Sequence, residues 1–125
     1  MSADFVGAFA RLKPLLAKHA KRLSVSKDTS TEYTLVTKSP SPFAQHKGEP
    51  LYFGSVRLGK AYVSFHLMSL YMHPTLPKSI SPALKKRMQG KTCFNFKTEP
   101  ESALLDELAQ LTEAGLKHFR KMKWL

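Results

Sequence analysis

Leu51 to Leu67 reads LYFGSVRLGKAYVSFHL, two alternating runs either side of a glycine. In the first run Tyr52, Gly54, Val56 and Leu58 share one parity and Phe53, Ser55 and Arg57 the other. In the second, Val63, Phe65 and Leu67 oppose Tyr62, Ser64 and His66. A period of two in aromatic and β-branched residues requires extended chain with one face on a core. Gly59-Lys60 between the runs predicts a two-residue II′ turn, since its first position needs a positive φ that glycine adopts without strain. A hairpin of this kind needs further strands and a covering layer to be stable in water.

The flanks supply both. Asp4 to Leu23 places Phe5, Phe9, Leu12, Leu16 and Leu23 at helical spacing, which predicts an amphipathic helix capped by Ser2 and kinked or divided at Pro14. Ser24–Ser30 is polar and turn-like, and Glu32–Lys38 (EYTLVTK) predicts a strand. A loop of roughly eleven residues follows around Ser39-Pro40-Ser41-Pro42, long enough to be a binding or lid loop. Ser81-Pro82 opens a short basic helix to Gln89 that Gly90 ends, and Lys91–Lys97 (KTCFNFK) predicts another strand. Thr98-Glu99-Pro100-Glu101 reads as a capping box before a Leu-rich helix whose apolar face is Leu104, Leu108, Leu111, Phe119 and Met122, with Gly115 on the same stripe. The order α-β-β-β-α-β-α predicts an α+β two-layer domain over residues 1–125, with an antiparallel sheet of about four strands packed by N- and C-terminal helices.

Charge is the unusual quantity. The chain carries +11 with nine acids in 125 residues, and residues 1–97 hold 16 Lys/Arg against four acids. Such a surface attracts polyanions. Arg57, Lys60, Lys85, Lys86, Arg87 and Lys91 gather around the hairpin and short helix, with Lys78 and with Tyr52, Tyr62 and Tyr71 nearby. Cations interleaved with aromatics suit phosphate contact plus base stacking. The N-terminus of the helix after Ser81 is a further place for a phosphate. The bland alternative is a solubilising surface.

Tyr62, His66, Tyr71 and Cys93 form a possible pocket. Cys93 with His66 would make a nucleophile and base if the thiol pKa were depressed. His66, Met68, Met72, His73 and Cys93 could take a soft metal, at spacings that match no template. Met68 and Met72 read better as core residues beside Leu70. These residues support no catalytic, cofactor or metal assignment, and the expectation is a non-enzymatic protein without cofactor. A lone cysteine, no basic-then-apolar leader and no apolar run of about 20 residues predict a cytoplasmic protein off the membrane. Monomer and homodimer are equally open to this sequence.

The phrases Val63-Ser64-Phe65-His66-Leu67-Met68 and Gly90-Lys91-Thr92-Cys93-Phe94-Asn95-Phe96, followed by a Leu-rich helix, resemble the YdhG-like domain of unknown function. The resemblance extends over residues 4–120 and implies a compact α+β fold. Some relatives are described as frataxin-like iron chaperones, so it also implies an iron- or metal-handling accessory role.

Overall fold

A computed structural model describes residues 3–125. Six strands form one antiparallel sheet: β1 (Ser24–Asp28), β2 (Glu32–Pro40), β3 (Pro50–Leu58), β4 (Val63–Leu67), β5 (Met88–Gln89) and β6 (Cys93–Phe96), in the order β1-β2-β3-β4-β6-β5. The helices are α1 (Ala3–Ala17), α2 (Ser69–Met72), α3 (Pro82–Lys85) and α4 (Ser102–Lys121). The α+β class stands, with two strands more than expected. Among the described residues no helix is long and apolar enough to cross a membrane.

The core lies between α1, α4 and one face of the sheet. Leu12 and Leu16 from α1 and Leu108 and Phe119 from α4 are fully buried with Phe53, Phe65, Leu67, Phe94 and Phe96. Phe53 meets Phe119 edge-on, with ring centroids 5.1 Å apart. Each such ring removes well over 100 Å² of apolar surface from water, so these phenylalanines dominate the cohesion of the layer.

A bulge in β3 changes which residues reach that core. Leu35 pairs with Gly54 but Val36 with Tyr52, leaving Phe53 as an extra residue. The insertion shifts the alternation, so Phe53 points inward beside Gly54 while Tyr52 turns outward to hydrogen-bond Ser55 Oγ at 2.6 Å. The simple two-set reading of Leu51–Leu58 is thereby corrected. Gly54 permits the close packing: a Cβ there would sit 2.8 Å from the His66 carbonyl oxygen and 3.3 Å from Leu16.

Other boundaries also move. The hairpin turn is centred on Lys60-Ala61, closed by the Gly59 N–H donating to the Tyr62 carbonyl at 3.0 Å, and Gly59 has no positive φ. The expected and observed registers differ by two residues, so every side chain keeps its face and alternation cannot separate them. α1 runs through Pro14 to Ala17 and then tightens into i→i−3 turns, with His19 N–H on the Leu16 carbonyl at 2.9 Å, rather than continuing as helix to Leu23. The Ser2 cap lies outside the described residues. α3 stops at Lys85 because Met88 and Gln89 pair with Phe94 and Cys93 as β5. Gly90, at φ +79, therefore turns β5 toward β6 instead of ending a helix. The capping box does not form: α4 begins at Ser102 with Glu101 as its N-cap and no side-chain cap bond. Met122 is exposed just past the last helical residue.

Candidate functional site

The sheet face turned away from α1 and α4 carries two cross-strand rows of polar side chains. Register places Thr34, Ser55, His66, Cys93 and Gln89 side by side across five strands, and Glu32, Arg57, Ser64 and Asn95 beside them across four. The cause is the alternation itself: Val63, Phe65, Leu67, Phe94 and Phe96 are committed inward, so their neighbours must face outward. At the hairpin end of these rows a depression of about 500 Å³ opens, walled by Arg57, Lys60, Tyr62, His66, Cys93 and Asn95 among others.

Its polar groups are ordered by short contacts. Asn95 Nδ2 donates to Gln89 Oε1 at 2.7 Å and its Oδ1 accepts from the Cys93 thiol at 3.2 Å. Arg57 donates to Glu32 Oε1 at 3.2 Å, an exposed pair worth under about 1 kcal/mol that leaves the guanidinium open to solvent. Glu32 is held below its ordinary value, chiefly by the Thr34 hydroxyl and then by Arg57. Lys60 has no ion pair among the described residues.

Burial pushes the Cys93 thiol up, and no cation offsets it. His66 is moved down by burial and then by Arg57, so at neutral pH it is an uncharged imidazole. Cys93 and His66 are thus neighbours in the register, as expected, but in protonation states that disfavour a thiolate–imidazolium pair. The thiol donates to Asn95, and the electrostatics of an activated nucleophile are missing.

Of the four expected pocket residues, the sheet brings Tyr62, His66 and Cys93 together. Tyr71 lies elsewhere, exposed on α2 and bordering two other depressions. The six expected cations also separate. Arg57 and Lys60 line the open-face depression, whereas Lys85 and Lys91 rim a different one with Lys78. Arg87 lies 5.9 Å from the Phe96 ring centroid, and Lys86 is exposed. These sequence neighbours diverge because only Lys85 lies on α3, Lys86 and Arg87 follow its end, and Lys91 lies in the turn between β5 and β6.

The anion position after Ser81 is already filled from within. Glu107 Oε2 accepts the Ser81 N–H at 2.7 Å and Oε1 accepts its hydroxyl at 2.6 Å, so a carboxylate of α4 occupies the start of α3. The soft-metal set is dispersed too: Met68 and Met72 pack against the core, and His73 stacks at 4.5 Å on His118. Among the described residues no group of three or more His, Cys, Asp or Glu could hold a metal ion.

The loop after β2 is a fixed wall. Ser41 N–H donates to the Glu49 carbonyl at 2.8 Å, Ser41 Oγ shares a hydrogen bond with His46 Nδ1 at 2.6 Å, and residues 44–46 form a 3-10 turn. Phe43 rests 5.7 Å from Trp124. The outward amides Gln89 and Asn95 and the Phe43–Trp124 contact have no sequence motif that announces them. Comparison with protein-family models, with curated proteins and with solved structures finds no match.

Proposed function

We propose that this chain is a non-enzymatic binding domain whose open sheet face takes an anionic ligand, with an extended single strand of nucleic acid as the favoured class. The supporting observation is the registered polar surface itself: Arg57, Lys60, Tyr62 and His66 border one depression with the Gln89 and Asn95 amides. The two cations serve phosphate, Tyr62 offers an exposed aromatic face for stacking, and amides meet base edges. An antiparallel sheet often leaves one polar face to water, so charge and hydrogen-bonding groups in one depression carry the reading, beyond exposure alone.

The test is fluorescence anisotropy of a labelled single-stranded oligonucleotide at about 50 and 200 mM salt. Two phosphate contacts predict a loss of about 5–10-fold in affinity over that range. Arg57→Glu with Lys60→Glu removes the binding and its salt slope. Binding unchanged by that pair contradicts the proposal, and binding absent at low salt contradicts it and makes the +11 charge a solubility feature.

The YdhG-like resemblance would extend the reading to iron or metal handling. No carboxylate or imidazole cluster among the described residues supports that role, so it stays second.

A further inference from the structure

Two further depressions, with no lining residue in common with the sheet-face depression, meet at Tyr71. The larger, about 800 Å³, is an apolar trough walled by Phe43, Leu51, Met68, Met72 and Tyr71, with His46 and Glu49 at the loop that closes it. The smaller, about 450 Å³, has a floor of Leu70, Ile80 and Met88 and a rim of Lys78, Lys85 and Lys91. None of these three lysines has an ion pair among the described residues. Lys91 Nζ stands 5.9 Å from the Tyr71 ring centroid, so the ring that divides the two spaces also holds one of the cations. Tyr71 itself is 67% exposed, an unusual setting for a large aromatic ring with no hydroxyl partner among the described residues.

We infer that this paired surface binds a monomeric anionic amphiphile of the fatty-acid class, its carboxylate among Lys78, Lys85 and Lys91 and its chain across Tyr71 into the trough. Charge fixes the direction. The lysine rim has no acid among its lining residues, whereas Glu49 stands at the trough and repels an anion there. The volume of the trough falls within the range of small-molecule sites, and methionines suit a flexible chain because their side chains repack around it. The trough wall is rigid on its loop side, because Phe43 is held on Trp124 and the loop is bonded to itself through Ser41. The inference uses a different surface from the sheet face, and either can fail without the other.

The experiment is calorimetric titration with sodium decanoate and, separately, with decanol, below the concentrations at which either aggregates. Trp124, the one tryptophan, reports on the Phe43 wall by its emission. Decanoate is expected to bind roughly tenfold or more tightly than decanol, since charge-assisted contacts are available only to the former. Lys78→Glu, Lys85→Glu and Lys91→Glu together abolish the difference, and Tyr71→Ser weakens decanoate with the fold intact by circular dichroism. A control reversing Lys18, Lys21 and Lys117 leaves it unchanged, which separates local from net charge. Equal binding of decanoate and decanol overturns the inference. So does wild-type affinity in the triple variant, or uptake by phosphatidylglycerol vesicles without binding of monomeric decanoate.

Discussion

Five residues connect single-site chemistry to measurable behaviour. Cys93 is raised in pKa by burial and donates to Asn95, so it should react with a disulfide reagent at neutral pH more slowly than free cysteine, and faster as pH rises. Reaction clearly faster than that of a free thiol would restore the nucleophile reading. Gly115 on α4 faces the fully buried Ser69, and a Cβ there would lie 2.7 Å from Ser69 Cβ. Gly115→Ala should therefore destabilise by about 1–3 kcal/mol in urea unfolding, despite alanine's better helix propensity. The stripe that carries Gly115 was legible; its partner Ser69 was not, because α2 has no periodicity. Burial is also the leading cause that holds His19, His66 and His118 below the ordinary value of 6.5. As pH falls through that region the unfolded chain takes up protons that the folded chain refuses. Stability is therefore complete above about pH 7 and declines on acidification toward pH 5, measured as the urea midpoint. His118→Gln should flatten that decline.

At the scale of elements, the end of α4 determines the position of a wall far from it in sequence. Trp124 N–H donates to the Phe119 carbonyl at 2.9 Å with Lys123 in the left-handed region at φ +61, and Trp124 packs on both Phe119 and Phe43. This is the closing turn that glycine usually supplies. Lys123→Gly should stabilise the protein by about 1 kcal/mol by relieving that conformation, read as a higher melting temperature. Elements with a buried, periodic face were visible in the sequence: the hairpin, β6, α1 and α4. β1 was not, because all five of its residues are exposed and an edge strand pairing by backbone alone leaves no hydrophobic pattern. β5 was hidden for a similar reason, its two residues reading as the tail of a basic helix. The bulge at Phe53 escaped because an inserted residue preserves composition while reversing parity.

For the whole molecule, one sheet face is committed to helices and the other displays what the alternation leaves over. That division explains how three of four expected pocket residues meet although they come from the hairpin loop, β4 and β6. It also explains why six cations gathered in sequence divide in space, since α3 and β5 sit at the sheet edge while Arg57 and Lys60 lie at the hairpin. The most direct measurement is amide chemical-shift mapping during titration with a single-stranded oligonucleotide. Shifts are expected at Arg57, Lys60, Tyr62, Ser64, His66, Cys93 and Asn95, with α1 and α4 unmoved. Shifts centred on Lys78, Lys85 and Lys91, or spread evenly over every exposed lysine, would contradict that expectation.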